Sequence, residues 1–129
     1  MRRNSLTIVS MVLLVLSFFS AARAVAVPLI WTSGDTDPSI SSEIDYATPG
    51  DLIVGDTAVG GVDVTGGKTL TVTGDAYLGS SSSGSGTVTV DGADSTWTAS
   101  GRTHVGQGGT GEVNLTNGGQ WTTANYTYF

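Results

Sequence analysis

One apolar pattern that ends in glycine is written three times between residues 52 and 121 and decides the fold: Leu52-Ile53-Val54-Gly55, Tyr77-Leu78-Gly79 and His104-Val105-Gly106. Each copy leads through a glycine-rich turn into a strand of alternating residues: Val62-Asp63-Val64, Val88-Thr89-Val90 and Val113-Asn114-Leu115. The glycines recur at steps of 24 and 27 residues, and the first valines at steps of 26 and 25. A period of this length, built from strands and turns, predicts a solenoid of stacked coils.

The alternation within each strand predicts which side chains face the core, because successive residues of a strand point to opposite faces. The inward set is Leu52, Val54, Leu78, Val105 and the apolar residues of the three alternating strands. We expect Leu70, Trp97 and Trp121 to form one interior column. Two columns should point outward. The first is the candidate contact face and consists of Ile53, Tyr77 and His104. The second consists of Asp63, Thr89 and Asn114.

The composition favours an all-β chain, since 19 of 129 residues are glycine and only 12% are charged. We predict a short single-stranded parallel β-helix of about three coils over residues 51–129. Glycines that recur between the strands should form its corners: Gly55, Gly79, Gly106, Gly66, Gly92 and Gly118. Residues 80–86 contain only serine and glycine, which predicts a flexible loop outside the coil.

The first 24 residues have the pattern of a secretory signal peptide. Arg2 and Arg3 precede an apolar run over residues 6–19, and Ala22-Arg23-Ala24 supplies a small-x-small cleavage site. The apolar run is short for a membrane span. The pattern therefore predicts export and a secreted or cell-surface location.

Cleavage after Ala24 would leave eleven acidic residues against Lys68 and Arg102, a net charge of −9. This charge argues against nucleic acid and anionic membranes as partners. The chain has no cysteine, so no disulfide stabilises the exported product.

Residues 25–50 precede the repeats and are predicted to cap the first coil. Residues 25–31 should form one strand, with Pro28 confining it to an edge. We expect Trp31, Ile44 and Tyr46 to cover the core at this end.

At the other end the repeat pattern stops without a polar cap, which leaves Tyr126, Tyr128 and Phe129 near an open coil. Either this end pairs with a partner, including end-to-end self-association, or the chain is a shortened copy of a longer protein. We favour the second interpretation.

Two stretches resemble the two halves of one known repeat. Residues 86–97 read Gly-Thr-Val-Thr-Val-Asp-Gly-Ala-Asp-Ser-Thr-Trp and resemble G-x-V-x-V-x-G-x-x-S-x-W of the autotransporter (type V secretion)/PEP-CTERM-associated repeat family. Residues 105–119 resemble its other half, V-G-x-x-G-x-G-x-L-x-I-x-N-G-G, and residues 52–73 resemble a degenerate earlier copy. The resemblance implies a bacterial, exported β-helix segment of a passenger-like region, here truncated. It implies no catalytic residues.

The residues do not predict a catalytic site, a cofactor or a metal site. His104 is the only histidine, and the outward parity of its strand makes it a surface residue. Aspartates beside glycine, as in Gly55-Asp56, are typical of turns, and the Gly-Gly-x-Gly-x-Asp nonapeptides of calcium-binding β-rolls are absent.

These observations predict a non-enzymatic, structural or adhesin-like solenoid segment, with extracellular polysaccharide or cell-surface matrix as the expected partner. One alternative is a polysaccharide-binding or polysaccharide-lyase-like β-helix, although Lys68 and Arg102 fall at different places in the coil. Another is flat-face binding to ice or matrix by threonine pairs such as Thr69/Thr71, Thr87/Thr89 and Thr96/Thr98. We expect those pairs to lie on different strands without a repeating column.

Overall fold

The computed structural model describes residues 28–129. The predicted signal peptide and residues 25–27 of the predicted first strand lie outside the described residues. The described part of the chain is all-β, in fourteen strands joined by turns. It contains no helix with the length and apolar character needed to cross a membrane.

The strands form three sheets, each named after a residue type that it carries. The valine sheet contains β1 (Ile30–Gly34), β3 (Ser41–Ser42), β6 (Val59–Val64), β9 (Ser85–Asp91) and β12 (Thr110–Thr116), in the order β12-β9-β6-β1-β3. The tryptophan sheet contains β4 (Tyr46–Ala47), β7 (Thr69–Val72), β10 (Thr96–Ala99) and β13 (Gln120–Thr123), in the order β13-β10-β7-β4. The tyrosine sheet contains β2 (Thr36–Asp37), β5 (Leu52–Val54), β8 (Ala76–Leu78), β11 (Thr103–Val105) and β14 (Thr127–Tyr128), in the order β14-β11-β8-β5-β2.

The chain visits the three sheets in turn, and from β7 onward each strand pairs in parallel with the strand one coil earlier. Before that, β5 and β6 pair antiparallel with β2 and β1 of the cap. Val62 is opposite Val88, which in turn is opposite Val113. The tryptophan and tyrosine sheets are paired in the same way over three successive coils. The prediction of a parallel β-solenoid of about three coils is confirmed.

The core is a set of apolar columns that run along the solenoid. The inward residues of β5 to β10 are fully buried, as the strand parity predicts. Leu70, Trp97 and Trp121 occupy matched positions in β7, β10 and β13, and Tyr46 in β4 begins the same column. The rings of Trp97 and Trp121 stack with centroids 5.2 Å apart and planes 11° from parallel. Leu70 and Trp97 are buried in this column, and Trp121 packs against the core but is only partly buried.

All six glycines predicted to form corners have positive φ, as at Gly55 (71°) and Gly79 (65°). A second glycine column, Gly60, Gly86 and Gly111 in the valine sheet, serves close approach instead. A Cβ on Gly86 would overlap the Val54 carbonyl oxygen, which accepts a hydrogen bond from the Gly79 N–H at 2.9 Å. The bare backbone at residue 86 makes room for this inter-coil bond.

The prediction of a loop outside the coil over residues 80–86 is wrong. Ser85 and Gly86 begin β9, and the N–H groups of Ser80, Ser81 and Ser85 donate hydrogen bonds to the coil before them. The Ser81 hydroxyl donates to Asp56, and the Ser83 hydroxyl donates to the Thr57 carbonyl oxygen. Serine and glycine therefore make a tight turn here, because their small side chains fit between stacked coils.

The cap differs from the prediction in two of its three residues, whereas the third, Tyr46, packs against the core as predicted. β1 runs antiparallel to β6, with Ile30 opposite Val64, and β3 pairs antiparallel with β1. Ile30 and Ile40 are the buried cap residues, whereas Ile44 is 71% exposed. Trp31 is only half-buried and lies opposite Asp63 on the outer face of the sheet. The register of β1 with β6 decides which residues of this non-repeating segment face the core.

Candidate functional site

The outer face of the tyrosine sheet carries a column of four side chains, which we call the aromatic column: Ile53, Tyr77, His104 and Tyr128. The register of β5, β8, β11 and β14 places these residues opposite one another in successive coils. The ring of His104 stacks between Tyr77 and Tyr128, with centroid distances of 5.0 and 4.8 Å. The structure therefore brings the predicted contact residues together and adds Tyr128.

Tyr128 extends this column beyond the sequence prediction, which treated it only as an apolar residue near the open end. The signal was present, because Tyr128 follows His104 by 24 residues, the same step that separates Tyr77 from Ile53. A two-residue strand that pairs with β11 was too short to be found from alternation alone.

Stacking decides what this column can contact. The ring planes of Tyr77, His104 and Tyr128 lie within about 11° of parallel and succeed one another along the solenoid, so the rings cover one another's faces. Recognition of a sugar by an aromatic platform needs an open ring face, and inside this column that face is occupied. Apart from the second face of Tyr128, what remains for a partner is a row of ring edges with hydroxyl and imidazole groups.

Two carboxylates border the column at its N-terminal side. The Tyr77 hydroxyl donates a hydrogen bond to Asp75 Oδ2 at 3.3 Å. Burial raises the pKa of the Tyr77 hydroxyl, and the negative charges of Asp75 and Asp51 raise it further. Tyr77 is therefore a hydrogen-bond donor at neutral pH and not a base or nucleophile.

The same carboxylates hold adjacent coils together. Asp51 Oδ1 accepts the Asp75 N–H at 2.8 Å, and Asp75 Oδ1 accepts the Arg102 N–H at 2.7 Å. In the tryptophan sheet, Asp45 Oδ1 accepts the Thr69 N–H at 2.8 Å. Each of these bonds joins residues 24 or 27 positions apart, which is one coil.

Two further aspartates make inter-coil bonds that change their acidity. Asp35 Oδ2 accepts the N–H groups of Thr57 and Ala58 at 2.7 and 3.0 Å, and these bonds lower its pKa. Asp91 Oδ1 accepts the hydroxyl of Thr116 and the side-chain amide of Asn117, and these bonds lower its pKa as well. A carboxylate that accepts several hydrogen bonds is stabilised in its charged form.

The second predicted outward column is also in register. Asp63 in β6 is opposite Thr89 in β9, and Thr89 is opposite Asn114 in β12. All three residues are half-buried. Burial raises the pKa of Asp63. The members of this column differ in chemistry from coil to coil, so they do not present one repeated functional group.

Threonines of neighbouring strands are aligned on the outer face of the tryptophan sheet, so the prediction that the threonine pairs form no repeating column is wrong for this sheet. Thr69 is opposite Thr96, and Thr71 is opposite Thr98, with Thr122 next in that column. We call these five residues the threonine face. Thr87 and Thr89 lie on β9 in the valine sheet, outside this face. In sequence the pairs look alike, and only the path of the coil separates them.

The two cations of the described residues lie apart from each other. Lys68 immediately precedes β7 and Arg102 immediately precedes β11, at different corners of the coil. Within residues 28–129 no three acidic or histidine side chains are grouped so as to hold a metal ion.

No protein-family model, curated protein or solved structure matches this chain.

Proposed function

We propose that this protein is an exported, non-catalytic β-solenoid segment of a bacterial surface or secreted protein, with a structural or adhesin-like role. The resemblance of residues 52–121 to the autotransporter/PEP-CTERM-associated repeat supports a place in such a protein. The signal-peptide pattern of residues 1–24 supports export.

One observation carries the proposal: the polar groups that could perform chemistry instead build the solenoid. Asp45, Asp51 and Asp75 each accept a backbone N–H from the next coil. The only histidine is stacked between two tyrosine rings, without the hydrogen-bonded nucleophile and acid of a catalytic triad. A chain whose carboxylates and imidazole are used in this way is best suited to a durable, acidic, extended scaffold.

Export and enzyme activity are tested by two measurements. Fractionation of cells producing the full chain should find a product that starts near Val25 in the medium or on the surface, and retention in the cytoplasm would refute export. Incubation with acidic polysaccharides, with and without calcium, should leave their chain length unchanged. Shortened polysaccharide in the wild-type sample would favour the lyase-like alternative.

Adhesion is tested at the aromatic column. Because its rings present edges, a partner should be held by hydrogen bonds, and binding to immobilised extracellular polysaccharide should fall when Tyr77→Phe removes one hydroxyl. The matched control is Thr89→Val, which removes an outward hydroxyl from the valine sheet. Equal binding by both variants and the wild type would locate adhesion elsewhere.

The register of the threonine face favours a second candidate, flat-face binding to ice or to a regular matrix. Its five threonines lie in two columns on parallel strands, which are about 4.8 Å apart. Their hydroxyl and methyl groups therefore repeat in two dimensions.

An ice-shaping assay separates this candidate from the scaffold role. If the threonine face binds ice, the wild type should facet growing crystals, and Thr98→Lys at the centre of the face should abolish the effect. Thr89→Lys, a half-buried outward threonine on β9, should leave it unchanged. Round crystals with the wild type would remove ice as the ligand.

A further inference from the structure

Among the carboxylates of the described residues, Asp63 is the one that is half-buried without a partner. Six others accept hydrogen bonds: Asp35, Asp45, Asp51, Asp56, Asp75 and Asp91. Four are exposed to solvent: Asp37, Glu43, Asp94 and Glu112. Burial is the sole cause that raises the pKa of Asp63, and no hydrogen bond or cation within residues 28–129 acts against it. Such a carboxylate favours a ligand that supplies a donor or a positive charge.

Trp31 is the neighbour of Asp63 on the outer face of the valine sheet. The two residues are opposite each other in β1 and β6, where Cβ atoms of opposite residues are about 4.5–5.5 Å apart. Trp31 is half-buried, and no other ring of residues 28–129 stacks on it, in contrast to the rings of the aromatic column. An indole face beside a negative charge is a combination that binds organic cations.

The next outward pair on the same two strands is Ser33 and Gly61. Gly61 has no side chain to fill its place on the surface, and the Ser33 hydroxyl oxygen is 2.8 Å from the position that a Cβ on residue 61 would take. We call the four residues of these two pairs the indole patch. It measures about 6.8 Å along the strands and about 4.8 Å across them. These dimensions match a single sugar ring, which could rest on Trp31 within reach of the Ser33 hydroxyl.

Charge and strand pairing narrow the class of ligand. Lys68 and Arg102, the two cations of residues 28–129, lie outside the strands of the valine sheet, whose outer face carries Glu112 as a second carboxylate. The indole patch should therefore attract positive charge. Both β1 and β6 have a neighbour on each side, so they offer no free edge to a peptide that binds as an added strand.

We propose that the indole patch binds a protonated amino sugar of an extracellular polysaccharide. The sugar ring lies on Trp31, its ammonium group pairs with Asp63, and one of its hydroxyl groups bonds to Ser33. This inference rests on the proposed adhesive function and names the ligand class as a cationic amino-sugar polymer. The indole patch is a contact surface separate from the aromatic column, because the two lie on different sheets.

Titration of the purified protein with a short glucosamine oligomer at pH 6, followed by tryptophan fluorescence, tests the proposal. The wild type should bind with a change in emission, because Trp31 contacts the sugar. Asp63→Asn should raise Kd about tenfold, since it removes a charged hydrogen-bond acceptor. Glu112→Gln removes an equal charge from the same outer face, two strands away from Gly61, and should change Kd by less than about twofold.

Trp31→Phe separates contact with the ring from damage to the cap. It keeps an aromatic side chain at this position, so the circular dichroism spectrum should be unchanged, while the emission change on binding should disappear. Calorimetry should show weaker binding, because phenylalanine attracts cations less strongly than tryptophan.

Two control ligands test the amine and the sugar separately on the wild type. An N-acetylglucosamine oligomer of equal length lacks the ammonium groups, and a lysine peptide of equal charge lacks the sugar rings. Each should bind at least about tenfold more weakly than the glucosamine oligomer. Equal Kd values for any of these ligands, or for Asp63→Asn and the wild type, would overturn the proposal. Retention of the protein in the cytoplasm would instead refute the proposed function, whatever the oligomer does.

Discussion

The partly buried position of Asp63 should lower the free energy of unfolding when its carboxyl group is charged. It lies on the outer face of the valine sheet between Trp31 and Thr89 on the neighbouring strands. Burial raises its pKa, so the folded protein holds this proton more tightly than the unfolded chain does. The stability that the group contributes is therefore present below its ordinary pKa of 3.8 and is lost as the pH rises through the raised value.

Asp63→Asn should raise the free energy of unfolding at pH 7 and leave it unchanged at pH 3. We expect a gain below about 1 kcal/mol, because solvent screens a half-exposed carboxylate. Urea denaturation at both pH values measures it. Glu43→Gln removes an equal charge from an exposed position and should show no comparable gain. Equal effects of the two substitutions would mean that net charge, and not the burial of Asp63, sets the cost.

At the scale of one strand and its neighbours, Gly86 tests the close approach between β9 and the coil before it. Gly86→Ala should lower the free energy of unfolding by about 1–3 kcal/mol, since a methyl group there displaces the backbone around the Val54 carbonyl. Gly50→Ala is the matched control, because a Cβ at residue 50 meets nothing within 4 Å. Thermal melts followed by circular dichroism would compare them, and a stable Gly86→Ala protein would contradict the observed packing of the two coils.

The tryptophan column gives a second test at this scale. Trp97 is fully buried, and its indole N–H has no hydrogen-bond partner within the described residues. Trp97→Ala should cost about 3–5 kcal/mol in the free energy of unfolding. Trp97→Phe keeps an aromatic ring and removes the unpaired N–H, so it should cost less than about 1.5 kcal/mol. Similar losses for both variants in urea denaturation would indicate that this N–H has a partner, such as a buried water.

The repeated elements could be predicted from sequence because their constraints are local and periodic. Alternation fixed the inward side of Val62 and Val88, and a common step in sequence aligned Leu70 with Trp97 and Trp121. The cap could not be predicted in the same way, because residues 28–47 do not repeat and their antiparallel pairing with β6 is a long-range choice. The threonine face needed the sheet assignment of each strand, which short T-x-T patterns do not contain.

The whole molecule should respond to acid through the carboxylates that join its coils. Hydrogen bonds lower the pKa values of Asp35 and Asp91, so the stability they contribute is present above the ordinary value of 3.8 and is lost as the pH falls through the lowered values. This direction is opposite to that of Asp63.

The double substitution Asp35→Asn with Asp91→Asn should therefore flatten the acid limb of the stability curve. It should also lower stability at pH 7, where the charged acceptors are lost. Circular dichroism during an acid titration measures the midpoint. An unchanged acid midpoint would assign acid unfolding to other groups or to the net charge of the chain.

The bond from Asp51 to the Asp75 N–H has a consequence for how such a molecule grows in evolution. Asp75 donates its backbone N–H to Asp51 in the coil before it, and its carboxylate accepts the backbone N–H of Arg102 in the coil after it. The same type of hydrogen bond therefore joins two successive pairs of coils. Arg102 occupies the equivalent position in the third coil. The series of aspartate bonds ends there, since an arginine side chain cannot accept a hydrogen bond. A duplicated unit that contains this aspartate would bring the acceptor and the donor of the inter-coil hydrogen bond with it. The number of coils in such a solenoid could therefore change by duplication of one unit.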